Sequence, residues 1–462
     1  MSMPVDDFHE WLEPDGLGGF ASGTICGVRT RRHHALLLTA TQPPGGRVVL
    51  VNGFDAWVET PNGQYAISGQ RYAPDVAYPD GPLHLEWFAS EPWPQWRFRL
   101  ADGTRVHQEL FVCPEKRAVA IAWHLDEARP GVRLLLRPFL SGRDCGAVHV
   151  ENADFNSGAE ITGQRIVWRP YRGVPAVVSI ANAAYASDPT WYRNFLYKEE
   201  QARGLDCTED LASPGVLTWD LSAGEAAWVL TTDGADGIPA DHVDAGALLD
   251  SWRRAERARR QFPSRLHRAA DAYIVRRGSG KTIVAGYPWF LDCGRDTFIA
   301  LRGLCLATGR LADARAILLA WAGTVDDGMV PSRFPENGEP ALFNCVDGSL
   351  WFIIAVHELA ATAAAQGTPL PPAEEAVLDA AVDAILTGYA AGTRHGIRCD
   401  ADGLLAAGEP GSPLTWMDSM VGDSSVTPRI GKPVEVEALW LNALWVGSQP
   451  ENKVSRITGP AG

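Results

Sequence analysis

Residues 286–304 read GYPWFLDCGRDTFIALRGL. Aromatic side chains surround a proline, an arginine stands next to an aspartate, and an amphipathic helix follows at once. The stretch predicts a loop that opens a helix, with Arg295 and Asp296 at its mouth. It also lies inside a region whose period differs from that of the chain before it. That contrast decides the architecture.

Toward the N-terminus, up to about residue 240, the chain reads as strands. HHALLLTA (33–40), RVVLVNGFDAWVE (47–59), QWRFRLADGTRVHQELFV (95–112) and RAVAIAWHL (117–125) alternate or form short apolar runs, punctuated by Asp-Gly, Asn-Gly and Pro-Gly turn signals. Many short strands with few helical stretches predict an antiparallel β-sandwich. From about 245 the period becomes helical, with helices expected at 245–261, 263–277, 296–308, 311–325, 348–366, 371–391 and 433–446. Pro263 suits a first turn, and Gly309 and Gly392 suit helix stops. Long loops remain at 326–347 and 392–432, and loops of that length in a helical domain are usually functional.

The whole composition agrees with two globular domains. The chain has 462 residues, 46% of them apolar and 21% charged. A net charge of −15 argues against a nucleic-acid partner, because no basic surface would neutralise phosphates. The acidic start MSMPVDDFHEWLEPDG is no secretory signal. The apolar run SLWFIIAVHELAATAAA (349–365) is interrupted by His357 and Glu358 and reads as a buried helix, not a membrane span. Eight cysteines without a C-x-x-C pair predict neither structural zinc nor a disulfide framework, and a reducing cytoplasm is the expected home. No cofactor is expected.

Four signals are set aside. GSGKT (278–282) lacks the glycine a phosphate loop needs at 275, which is Val275, and it follows a helix instead of a strand. DADG (400–403) has no closing Glu for a calcium loop and reads as a turn. His33 and His34 are adjacent, which does not suit a metal site. No G-x-S-x-G elbow appears.

Three polar clusters remain, all in the helical half. Asp292, Arg295 and Asp296 open one helix, and Asp347 in FNCVDGSLWF (343–352) opens another. The segment TWMDSMVGDSSVTPRIGKPVEVEALWLNAL (415–444) holds Asp418, Asp423, Lys432, Glu435 and Glu437. Any one of these acids could simply cap a helix. Together with arginine and tryptophan they suit a neutral polyol: carboxylates accept from hydroxyls, Arg donates, and an indole covers an apolar ring face. Most of the 17 tryptophans will be core, and Trp289, Trp416 and Trp440 are the candidates to stack on sugar.

GYPWFLDCGRDTFIALRGL, TWMDSMVGD and TPRIGKPVEVEALWLNAL resemble the C-terminal glucosidase domain of glycogen debranching enzymes, the amylo-α-1,6-glucosidases. EWLEPDGLGGFASGTICGVRTRRHHALLL (10–38) resembles the start of the family's bacterial and archaeal members. The resemblance implies a β-sandwich over 1–240, a helical linker over 241–262 and a partial (α/α)₆ barrel over 263–446. It implies inverting hydrolysis of α-1,6-linked glucose at the branch points of glycogen or a similar branched α-glucan. By motif position Asp418 is the general acid. Arg295 and Asp296 clamp the terminal glucose, Trp289 and Trp416 stack on it, and Asp292, Asp347, Lys432 and Glu435 belong to the substrate site. The family's general base is a glutamate expected beyond this chain. An (α/α)₆ barrel has twelve helices and about six are legible here, so roughly 200 residues are expected to be missing. Family-like sequence is expected to stop near LNALW, leaving 447–462 as an atypical tail. Another (α/α)₆ α-glucosidase, a disaccharide phosphorylase and a non-catalytic glucan-binding protein stay open as alternatives. Glucose 1-phosphate release, action on linear oligosaccharides, or glycogen binding without turnover would point to each.

Overall fold

The computed structural model describes residues 8–114, 116–234, 243–335, 339–422 and 424–447. The chain divides into two compact units, Met1–Pro263 and Ser264–Gly462.

The first unit contains two large antiparallel sheets, as the alternating segments predict. One has ten strands and the other eight. Gly45–Thr60, Arg133–Asp144, Thr208–Asp220 and Ala184–Leu196 run side by side in the larger sheet, and Val177–Ala181, Ala226–Thr232, Ala118–Leu125 and Arg105–Cys113 in the smaller. Their inward faces share one core, in which Leu134, Leu136 and Trp219 of the first sheet meet Ile121, Trp123 and Trp228 of the second. Trp123 lies 5.9 Å from Trp219 and 6.3 Å from Trp228 between ring centroids, so these indoles are packing residues. Helix α1 (Lys198–Ala202) is a single short turn.

Helix α2 (Ala245–Arg259) falls in the stretch expected to be a linker. It belongs to the first unit instead. Ala245 and Leu249 cover the outer face of the eight-stranded sheet beside Phe111, Ala122 and Val229. Arg253 donates to Glu109 and Glu225, each at 2.7 Å. An apolar outer sheet face needs a cover, and this helix supplies it.

In the second unit helix α3 (Arg265–Tyr273) starts at Ser264, whose hydroxyl caps the His267 amide. It stops four residues before the expected end. Ile274–Arg277 and Gly280–Ile283 form a β-hairpin, and Gly278 turns it with φ 55°. GSGKT is therefore hairpin and not a phosphate loop. Helix α4 (Gly294–Leu301) runs into a π-helical turn at Arg302–Leu306, where the Ala307 amide donates to the Arg302 carbonyl. Helices α5 (Leu311–Ala322), α6 (Val346–Ala365), α7 (Pro372–Ala391) and α8 (Val434–Gly447) follow.

Helix α6 is the axis of this unit and packs against α4, α5, α7 and α8. By length and apolarity it matches a membrane span, but Leu350, Phe352, Ile353 and Leu359 are buried among neighbouring helices, as a core helix requires. The half read as helices and loops also holds short strands. Besides the hairpin, Arg398–Cys399 pairs with Leu405–Ala406 and Met420–Val421 with Ser424–Ser425. DADG is a turn, closed by the Gly403 amide on the Asp400 carbonyl. Asp423 and the stretch 448–462 lie outside the described residues.

Candidate functional site

The loop before α4 is held by a buried ion pair. Arg277, on the hairpin, donates to both oxygens of Asp292 at 2.6 and 2.7 Å, and the Thr282 hydroxyl adds a bond at 3.0 Å. The Arg277 guanidinium lies 4.5 Å from the Phe334 ring centroid. Both Asp292 oxygens are engaged and the residue is 3% exposed. Asp292, expected to touch substrate, therefore braces the loop from behind.

Two helix starts and one loop meet at Arg295. Its Nε donates to Asp347 Oδ1 at 3.1 Å, and its Nη2 lies 3.3 Å from Cys345 Sγ, 3.5 Å from the Thr415 carbonyl and 3.5 Å from Asp418 Oδ2. The Cys345 thiol in turn donates to Asp347 Oδ1 at 2.9 Å. The backbone keeps these segments in register: the Val346 amide donates to the Leu414 carbonyl at 2.9 Å, and the buried Tyr389 hydroxyl donates to the Val346 carbonyl at 2.9 Å. Gly348 leaves room for the thiol, since a Cβ there would sit 3.1 Å from Cys345 Sγ.

The electrostatics follow from this packing. Burial works against the Arg295 charge, but the Asp347 carboxylate to which it donates outweighs it, so the guanidinium is held above its ordinary range. Burial pushes the Cys345 thiol well up, and the Asp347 carboxylate pushes the same way, so this cysteine is a thiol and not a nucleophile. Burial, then the Asp296 carboxylate, pushes Cys293 up to about 11.

The expected site residues divide into two groups. Arg295, Asp347 and Asp418 come together, but Asp347 is buried and faces the arginine, so its contact with substrate would be indirect. Asp418 is exposed, as are Asp296 in the first turn of α4 and the indoles of Trp289 and Trp416. Lys432 and Glu435 are tied elsewhere, Lys432 to Asp400 at 3.0 Å and Asp402 at 2.8 Å, Glu435 to Arg429 at 2.6 Å. Trp440 is 1% exposed and donates to the Gly403 carbonyl at 3.1 Å, so it is core and not a sugar platform. Sequence reasoning missed Cys345, Thr415 and Arg277. The first had a signal, a cysteine immediately before a helix that starts at Val346 and carries Asp347 in its first turn.

The exposed Asp418 thus stands 3.5 Å from the braced Arg295, on a helical unit that follows a β-rich one in the chain. The chain matches the family model for the glycogen debranching enzyme N terminal over residues 9–228 and that for amylo-alpha-1,6-glucosidase over 268–457. It belongs to the glycogen debranching enzyme family. The second match runs to residue 457, past the point near 446 where family-like sequence was expected to stop. Over 82 residues the chain is 38% identical to the glycogen debranching enzyme of Saccharomyces cerevisiae; the match spans 17% of this chain and 5% of the yeast enzyme's length. A human-microbiome structure provisionally named kojibiose phosphorylase superimposes over 95% of this chain and 58% of its own, at 9% identity and a TM-score of 0.40. A score that low does not define a shared fold.

Proposed function

We propose that the chain carries the glucosidase site of a glycogen-debranching protein, built on a partial (α/α)₆ barrel and directed at α-1,6-linked glucose of a branched α-glucan. The observation that carries this reading is the pairing of Arg295 with Asp418 across more than a hundred residues of sequence, 3.5 Å apart. Asp418 donates the proton to the departing glycosidic oxygen. Arg295, fixed by Asp347 and Cys345, donates to hydroxyls of the terminal glucose. Asp296 accepts from them, and Trp289 and Trp416 cover the ring's apolar face. An inverting reaction also needs a base roughly 6.5–9.5 Å from the acid to activate water on the opposite face. Asp292 and Asp347 are held under arginines, Glu435 is paired with Arg429, and Glu437 accepts from the Leu405 amide at 2.9 Å. None of these four is offered as the base.

Two measurements test the reading. Affinity electrophoresis in a phosphorylase limit dextrin should retard the chain, and Arg295→Ala or Trp416→Ala should weaken that retardation about tenfold or more. Equal retardation of parent and both variants would place glucan binding elsewhere. In glucose-release assays on a form extended to a twelve-helix barrel that supplies the base, Asp418→Asn should lower kcat about 10²–10⁴-fold with little change in KM, because the amide keeps the shape but has no proton to give. Release of glucose 1-phosphate that depends on added phosphate would replace hydrolysis by phosphorolysis.

A further inference from the structure

The motif EWLEPDGLGGFASGTICGVRTRRHHALLL has no part in the helical-unit site, yet it builds one wall of a cavity of about 80 Å³ in the first unit. Trp11, Ser22, Thr24 and Arg29 come from the motif, and Phe54 and Trp96 from strands that face it. The wall reaches the surface at Gly27, which is exposed and has nothing within 4 Å of where a Cβ would stand.

Arg29 is the unusual member. It is 6% exposed, and its Nη2 donates to Gln70 Oε1 at 3.0 Å while the guanidinium lies 4.7 Å from the Phe195 ring centroid. Its Nε and Nη1 are shut off from bulk solvent and have no hydrogen-bond partner. Buried donors of this kind are normally satisfied by something. Gly53 keeps the approach to Nε clear, since a Cβ there would stand 3.4 Å from that nitrogen.

The remaining lining says what kind of group fits. The Ser22 hydroxyl donates to the His33 carbonyl at 3.0 Å and the Thr24 hydroxyl to the Val28 carbonyl at 2.6 Å. Their protons are committed, and the Cys26 thiol, 3.3 Å from Thr24 Oγ1, takes one lone pair of that oxygen, so what the two hydroxyls have left to offer is acceptor capacity. The Gln70 amide also links Arg29 to the buried Asp55, to which it donates at 3.0 Å, so a negative group already stands behind the guanidinium. An oxyanion would meet acceptors and a nearby carboxylate. A hydroxyl group accepts from Arg29 and donates to Ser22 or Thr24, and its carbon chain packs on the indoles. We propose that this cavity binds the hydroxylated end of a small neutral polyol, with Arg29 as donor and Ser22 and Thr24 as acceptors. The volume is about half that of an engineered apolar cavity known to hold benzene, which restricts the buried part to a few heavy atoms.

Saturation-transfer NMR with glycerol on the 462-residue chain tests this. The chain carries Arg295→Ala and Trp416→Ala, so that the helical-unit site cannot supply the signal and the two readings fail separately. Glycerol should give a saturable signal that excess inorganic phosphate leaves in place. Gly53→Ala, which fills the space beside Nε without removing a charge, should weaken it about tenfold or more, as should Arg29→Gln. Gly53→Ala keeps the test sharp if Arg29→Gln fails to fold. A signal that does not saturate, that is equal in Gly53→Ala, or that phosphate displaces would overturn the proposal: the cavity would then hold water alone, lie elsewhere, or take an anion.

Discussion

Cys345 shows how much a single side chain contributes to the proposed glucan site. It is buried, it donates to Asp347, and it lies 3.3 Å from the nitrogen of Arg295 that faces Asp418. Removing the thiol would free the guanidinium to rotate within its pocket. Cys345→Ala should therefore weaken limit-dextrin retardation about three- to tenfold, and Cys345→Ser, which keeps a donor, should restore most of it. Equal binding by the alanine variant would show that Asp347 alone aims the arginine. Asp55 carries a different consequence. Burial raises its carboxyl from 3.8 to about 6. Between those values the folded chain holds a proton that the unfolded chain has released. The stability this group contributes is full below about pH 4 and is lost as pH rises through about 6. Asp55→Asn keeps an acceptor for Ser68 and Gln70 but removes the titration. Relative to the parent it should gain stability between pH 4 and 6.5, by at most about 3 kcal/mol, since each tenfold change in proton affinity is worth about 1.4 kcal/mol. Urea-unfolding curves that shift in parallel at both pH values would refute this.

At the scale of elements, legibility followed the strength of the repeating pattern. The strands of the first unit and helices α5 to α8 were readable because an apolar face must recur with period 2 or 3.6. The end of α3 was not. Ile274 and Val275 continue an apolar pattern, and only the return of Thr282 and Ile283 opposite them makes a hairpin the better burial. The small ladders at 398–406 and 420–425 are two residues per strand, too short for any period to register. The π turn after α4 left no mark in the sequence either. Among site residues, acids at helix starts were visible as a class, but what each one faces was not. Asp292 and Asp418 look alike in the sequence, yet one is locked beneath Arg277 and the other stands in solvent. The difference comes from the hairpin, whose turn brings Arg277 and Thr282 onto Asp292. Trp440 and Trp416 differ too. Both follow polar segments, but α8 turns one of them into the core.

For the whole molecule, the position of α2 decides where the chain can be divided. The first unit ends at Pro263 and not near 240, because α2 covers the eight-stranded sheet. A fragment of residues 1–263 should unfold cooperatively with a β-type circular dichroism spectrum. A fragment of residues 1–240 uncovers Phe111, Ala122 and Val229 and leaves Glu109 and Glu225 without Arg253, so it should melt at least about 5 °C lower or aggregate. Identical melting of the two fragments would mean that α2 is a passenger. Helix α6 bears on how the second unit is made. Its partners α7 and α8 lie downstream, ending at Ala391 and Gly447. A ribosome adding roughly 5–20 residues per second needs several seconds to travel from Ala365 to Gly447. For that interval a nascent helix as apolar as a membrane anchor is in the cell without its full shelter. That interval ends when α8 emerges and packs against it.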